Sequence, residues 1–169
     1  TVILPYLVRH GTEEQKKKYL PKLATGELVG CEAIMADRAA TPELAAAIEA
    51  CVQKAERYYT IMGFGSFAPG NAEGGLTTQE EKSMGAYSKS GSSIIDGILK
   101  PGDIPPTGGL YLLDVVPDGE PRFGFPNISD NAEIVEMIAC GAHLTLFTTG
   151  RGSVVGSAVS PVIQNCANP

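Results

Sequence analysis

An α/β fold with a helical N-terminal segment is what this chain predicts, on three observations. The second half runs apolar segment, capped helix, apolar segment and glycine-rich loop, which is the order of a strand–helix–strand unit. The first half carries apolar residues at helical spacing behind two capping sequences. Twenty glycines and 12 prolines among 169 residues punctuate the chain into short elements, or into loops that approach a ligand closely.

Residues 1–23 read as mostly helical. Thr12-Glu13-Glu14-Gln15 fits a capping box, and Lys16, Lys17 and Lys18 follow where cations suit the helix dipole. Pro21 marks the end. Thr41-Pro42 opens the next helix, with Thr41 as N-cap and proline at the first helical position. Leu44, Ile48, Val52, Ala55 and Tyr59 form its apolar face, so the helix should run to about Tyr59 and stop before Gly63 and Gly65. Residues 63–73 form a Gly/Pro-containing linker between a helical segment, 1–62, and an α/β domain, 74–169.

Within that domain a short helix should start after Thr78, with Glu81 three residues on. Residues 88–93 are a small-residue loop and 99–109 are turn-rich. Residues 110–116 read as a buried strand. Asp130 caps a helix over 131–139, Glu133 completes its capping box and Gly141 stops it. Residues 143–147 read as a second strand, and Thr148-Thr149-Gly150-Arg151-Gly152 follows at once.

Bulk properties exclude several functions. A net charge of −6 argues against a nucleic-acid surface but leaves an anionic substrate open, because local charge decides that. No apolar run reaches the length of a membrane span, and basic residues interrupt the first twenty positions where a signal peptide would need an apolar stretch. Cys31, Cys51, Cys140 and Cys166 are widely spaced, without a C-x-x-C pair; they read as reduced thiols of a cytoplasmic protein. The chain starts at Thr1 and stops at Asn168-Pro169 soon after an apolar segment, so both ends read as cuts.

Three constellations could carry chemistry. The segment from Thr149 through Gly150, Arg151 and Gly152 to Gly156 follows a strand. Its glycines would let backbone N–H groups approach an anion, and the guanidinium could complete the cradle. Its spacing departs from the dinucleotide fingerprint by one residue; alone it is equally a tight strand–turn or a carboxylate or phosphate site. The segment Gly74-Gly75-Leu76-Thr77-Thr78-Gln79-Glu80-Glu81-Lys82-Ser83 offers Lys82 as a base or as a clamp on a carboxylate; the alternative is a capped surface helix. Glu27 and Glu32, near Asp37 and Arg38, could hold a divalent metal or form a solvated acidic loop. His10 and His143 stand alone, and nothing resembles a Ser-His-Asp arrangement or a zinc motif.

These segments together resemble the altronate/galactarate dehydratase family. The resemblance is carried by Gly74-Gly75-Leu76-Thr77-Thr78, Glu81-Lys82-Ser83 and Gly85, preceded by Pro69-Gly70-Asn71. It continues in Leu146-Phe147-Thr148-Thr149-Gly150-Arg151-Gly152 with Gly156 and Pro161-Val162-Ile163, and begins in Glu27, Gly30 and Glu32 through Arg38-Ala39. The phrases stand in the family's order over residues 27–169. The resemblance implies a Rossmann-like variant as the C-terminal domain and a lyase that removes water from a sugar acid, giving a 2-keto-3-deoxy acid. It implies a divalent metal, Fe2+ with Mn2+ or Mg2+ as alternatives, no flavin or NAD, a small hydroxy-carboxylate as substrate and a homodimer in the full-length protein. Thr149, Gly150, Arg151 and Gly152 would bind the substrate carboxylate, and Thr77 and Thr78 its hydroxyls. Lys82 and Glu81 would be the catalytic pair, and Glu27 and Glu32 the metal carboxylates.

The family's N-terminal β-domain and most of its middle domain are missing, and residues 122–130 differ from the glycine-rich link of familiar members. The particular sugar acid therefore stays open. A sulfolactate sulfo-lyase subunit belongs to the same superfamily, so sulfite is an alternative leaving group. A non-catalytic anion-binding domain is another reading. Separately, His10-Gly11-Thr12-Glu13-Glu14-Gln15 through Leu23, with Gly26-Glu27-Leu28-Val29-Gly30, resembles acyl-CoA dehydrogenases. Ile34-Met35-Ala36-Asp37 stands where that family continues Thr-Glu-Pro, so no flavin site carries over. A fusion, a misassigned segment and a chance match over a capped helix are the readings of this stretch, and an acyl-CoA dehydrogenase fragment is the alternative function it implies.

Overall fold

Thr41 starts the longest helix in the way its hydroxyl allows. In the computed structural model, which describes residues 13, 14, 16, 17, 36–62, 73, 75, 91–122, 128–149 and 152–166, helix α1 spans Pro42–Met62. Thr41 Oγ1 accepts the Leu44 N–H at 3.2 Å, and the Thr41 carbonyl accepts the Ala45 N–H at 3.0 Å. Glu43 lies in the first turn, and its carboxyl is held below its usual range by its own backbone N–H and then by the Thr41 hydroxyl. The chain divides into two compact units, 1–95 and 96–169. Of the expected linker, 63–73, only Glu73 is among the described residues.

In the first unit, Glu13, Glu14, Lys16 and Lys17 are helical, and Lys16 Nζ pairs with Glu13 at 2.8 Å. A 3-10 turn, Ala36–Arg38, precedes an isolated parallel bridge between Ala39 and Ile95. Ile95 N–H donates to Arg38 O at 2.8 Å, and Ala40 N–H donates to Ile95 O at 2.9 Å. The Arg38 guanidinium donates to Gly91 O. Ile48, Val52, Tyr58 and Ile95 are buried. The expected apolar face ended on Tyr59, but Tyr58 is the fully buried ring and Tyr59 meets it edge to face at 5.2 Å. Cys51, Ala55 and Tyr58 form a second row at helical spacing beside the 48/52 row, so the core-facing stripe is wider than expected and carries the helix to Met62.

The second unit holds two pairs of parallel strands. β1 (Gly97–Leu99) pairs with β2 (Tyr111–Leu113), Leu99 lying opposite Leu113. β1 falls in a run too short to show periodicity, so it was not expected from the sequence. Gly97 lies close under the Tyr111 ring: a Cβ would meet it at 3.0 Å, so any larger residue would have to displace the ring. β2 stops sooner than the expected 110–116, because the Asp114 carboxylate accepts the Val116 N–H at 3.2 Å and turns the chain.

Helix α2 spans Asp130–Ala139. Its N-cap is Ser129 rather than Asp130: Ser129 is extended, its Oγ accepts the Ala132 N–H, and its carbonyl accepts the Glu133 N–H at 2.9 Å. Glu133 is thus one residue too far along for a capping box. Gly141 does end the helix. Its φ of +93° lets Gly141 N–H reach Ile138 O and Ala142 N–H reach Met137 O, a Schellman closure. That closure occupies 140–142, so the following strand begins late. β3 is Thr145–Thr149, displaced from the expected 143–147, and His143 is left exposed before it. β3 pairs in parallel with β4 (Val162–Cys166), from Thr145 opposite Val162 to Thr149 opposite Cys166. Among the described residues no helix is long and apolar enough to cross a membrane, and Cys51, Cys140 and Cys166 take part in no disulfide.

Two stability outcomes follow from the helices. Thr41→Ala should cost about 1 kcal/mol in urea unfolding, and Thr41→Ser should recover most of it. On α2, burial pushes the Glu136 carboxyl above its usual range, and its Oε2 has no hydrogen-bond partner among the described residues. A carboxyl raised in the folded state binds protons more tightly there than when unfolded, so its ionisation destabilises the fold at neutral pH and ceases to do so below the ordinary carboxyl value. Glu136→Gln should therefore raise the melting temperature at pH 7 and give no gain near pH 3.5, measured by thermal unfolding at both values.

Candidate functional site

Thr149 is the last residue of β3, not the first of the loop, and this sets how the loop begins. From the strand end its Oγ1 accepts the Gly152 N–H at 2.6 Å, closing a tight turn. Gly152 has φ +88°, a left-handed conformation that suits glycine, with open space where a Cβ would stand. The loop then satisfies its own donors. Val155 N–H donates to Ser153 Oγ at 3.1 Å, and Val159 N–H donates to Ser157 Oγ at 3.2 Å. Gln164 Nε2, from β4, donates to the Val155 carbonyl. At the far end Ser160 Oγ donates to Ala142 O, and Thr145 N–H donates to Pro161 O at 3.0 Å.

Of the residues expected to carry the site, Thr149 and Gly152 are therefore brought together by a direct hydrogen bond. Gly150, Arg151, Thr77, Thr78, Glu81, Lys82, Glu27 and Glu32 lie outside the described residues. The expected divalent metal finds no fit among the described residues, where no group of three or more His, Cys, Asp and Glu side chains converges.

A second polar cluster went unnoticed in the sequence. Lys100 directly follows β1, and Asp114 directly follows β2, so the parallel register sets them side by side at the carboxyl edge of the pair. Ligands in open α/β sheets gather at such edges. Lys100 Nζ lies 3.6 Å from Asp114 Oδ2 and 2.5 Å from Asp118 Oδ1. Its N–H donates to Asp103 Oδ2 at 2.8 Å, and its carbonyl accepts the Cys140 thiol at 3.3 Å. The available signal was the placement of a charge immediately after each of two short apolar runs. One lysine among three aspartates leaves this edge negative, which disfavours a substrate carboxylate there. The loop after β3 has no acidic side chain between Thr149 and Val162. Of the two carboxyl edges, it is the better suited to an anion. The open depression beside Ala36, Asp37, Thr41, Pro42 and Glu49 is less suited to an anion, because Asp37 and Glu49 line it, Glu43 accepts its own N–H at that helix start and Thr41 Oγ1 accepts the Leu44 N–H.

The two partners of Lys100 differ in burial. The side chain of Asp114 is 4% exposed and that of Asp118 is 73% exposed. Lys100→Met removes the cation beside the buried Asp114 carboxylate and should cost about 2 kcal/mol, discounted for the half-exposed lysine. Asp118→Asn should cost under about 0.5 kcal/mol. Urea unfolding of both variants checks the difference.

The family model for the D-galactarate/altronate dehydratase C-terminal region matches residues 22–169, and that for the acyl-CoA dehydrogenase N-terminal domain matches residues 1–27. The (2R)-sulfolactate sulfo-lyase subunit beta of Chromohalobacter salexigens is 33% identical over 152 residues, 86% of this chain and 36% of that protein. The altronate dehydratase of Bacillus subtilis is 33% identical over 145 residues, 84% of this chain and 27% of that protein. The galactarate dehydratase (L-threo-forming) of Escherichia coli is 35% identical over 97 residues, 57% of this chain and 16% of that protein. The chain spans about a third or less of the length of these relatives.

Proposed function

Because the chain belongs to the D-galactarate/altronate dehydratase family, we propose that it is the C-terminal part of a hydro-lyase acting on a sugar acid, with the substrate carboxylate bound at the loop after β3. The observation that carries this reading is the left-handed turn at Gly152, tied to Thr149 at the carboxyl end of a parallel strand and free of acidic neighbours. The strands belong, in this reading, to a Rossmann-like α/β domain.

In the reaction, a base removes the proton α to the carboxylate, and the C–H electron pair passes into an enediolate. That pair then forms the double bond as the β-hydroxyl departs with a proton from an acid. Water leaves, and the remaining enol becomes a 2-keto-3-deoxy acid. Arg151 and the backbone at Gly150 and Gly152 would hold the carboxylate, a geometry a guanidinium meets with two parallel N–H bonds. The enediolate places a second negative charge on the same group, so these donors stabilise it more than the ground state. Gly152 N–H would have to turn from Thr149 Oγ1 to the substrate, and Thr149 would then be released to contact the ligand as well. Thr77 and Thr78 would position hydroxyls. Lys82, beside Glu81, would exchange the proton at the α-carbon or the leaving oxygen. A divalent metal, iron(II) by the family resemblance, belongs to this proposal only through Glu27, Glu32 and residues beyond those described.

A second reading has its own support. The relative matched over the greatest share of this chain is named a sulfo-lyase subunit. The same α-proton removal would then expel sulfite instead of hydroxide.

Assaying the intact enzyme with altronate, galactarate and (2R)-sulfolactate separates the two, by 2-keto acid formation with or without sulfite release. Dehydration of a sugar acid without sulfite release is the expected result. Arg151→Ala should raise KM about tenfold or more, as loss of a charge-assisted bond would. Lys82→Ala should lower kcat by about a hundredfold or more. Near-wild-type turnover in either variant removes that residue from the mechanism.

A further inference from the structure

The connection between β3 and β4 is gripped by a sheet side chain that the proposed chemistry leaves unused. The register sets Phe147 opposite Gln164 and Leu146 opposite Ile163. Strand alternation therefore places Thr145, Phe147, Thr149, Val162 and Gln164 on one face, and Leu146, Thr148, Ile163 and Asn165 on the other. The first face is covered along β3 and at Val162, where Thr145 is buried and Phe147, Thr149 and Val162 are half-buried; Gln164 and Cys166, further along β4 on that face, are exposed. The second is open, with Leu146 67% and Ile163 50% exposed. Thr149 Oγ1 holds Gly152 N–H, and Gln164 Nε2 holds the Val155 carbonyl, so residues 152–155 cross the first face.

Between Gly152 and the Ser160 anchor, the remaining hydrogen bonds among the described residues are local ones from Ser153 and Ser157. The Gln164 amide is thus the tie that fixes this stretch to the sheet. Val154, next to the gripped carbonyl, is fully exposed and adds no packing of its own.

We propose that Gln164 is a positioning residue for substrate binding, fixing the Val155 end of the Gly152–Val155 segment to the sheet beside the carboxyl end of β3. The inference rests on the reading that this loop binds the substrate anion. Gln164 acts through the backbone and does not touch substrate. Without its amide, the Val155 end of the segment is no longer fixed while Gly152 N–H exchanges Thr149 for the substrate, and the substrate must order the segment on binding. The loss therefore falls on KM, with kcat retained at saturation.

The test is made on the intact enzyme, with Gln164→Met, which keeps the length of the side chain and removes the donor. Gln164 is exposed, so the core is untouched. Asn165→Met removes an amide from the same strand on the opposite face and serves as control. The expected result is a KM raised about tenfold for the sugar acid in Gln164→Met, kcat within about twofold, and no change in Asn165→Met. Amide hydrogen exchange over residues 152–159 should quicken in Gln164→Met alone. An unchanged KM, unchanged exchange, or an equal effect from Asn165→Met overturns the proposal. Arg151→Ala run alongside separates the two ideas. A raised KM there with a normal KM in Gln164→Met refutes the grip, while a normal KM in Arg151→Ala refutes the anion site itself and the inference with it.

Discussion

Two parallel strands next to each other in sequence cannot be closed by a hairpin, and that constraint shapes the region around β3 and β4. The chain leaves the carboxyl end of β3 and must return along the whole strand, roughly 16 Å for five residues, before β4 begins. Of that return, residues 152–161 are described. They run across the face that carries Phe147, held by Thr149 at the start, Gln164 midway, and Ser160 with Pro161 at the end. The tight turn at Gly152 is a consequence: the path must reverse at once on leaving the strand. A glycine-rich turn at the carboxyl end of a parallel strand is also where backbone donors can meet an anion, so one constraint serves both path and site.

The β1–β2 pair meets the same edge with opposite chemistry. Lys100 and Asp114 follow their strands directly, and the register brings them together. Asp103, Asp114 and Asp118 outweigh the single lysine, and Asp114 is buried against it. This edge spends its charge on holding the strand ends and α2, through the Cys140 thiol on the Lys100 carbonyl. The loop after β3 brings no acidic residue of its own between Thr149 and Val162, which is why the proposed function places the substrate anion there.

Much of the architecture could be read from residue order. Thr41-Pro42 marked its helix correctly because capping is local chemistry, and Gly141 marked a helix end for the same reason. What local chemistry could not show was set by contacts between distant segments. β1 is three residues long and exists as a strand only through pairing with β2. The shift of β3 to Thr145–Thr149 follows from the Schellman closure at Gly141 and the bond to Pro161, and it moved Thr149 from loop to strand. Ser129 displaced Asp130 as the cap because both can cap, and sequence does not rank neighbours. At the site, the motif singled out Thr149 and Gly152 as residues, but their hydrogen bond to each other was not legible in it, and the parts played by Gln164, Lys100 and Asp114 depend on strand register.

The central claim is that the loop after β3 is the anion-binding edge. It is tested most directly by titrating the intact, amide-labelled protein with galactarate and following backbone resonances. The account predicts saturable shifts concentrated at Thr149, Gly150, Arg151 and Gly152, with the Lys100–Asp118 segment unmoved. Saturable shifts confined to residues 100–118, with the β3 loop silent, would contradict it.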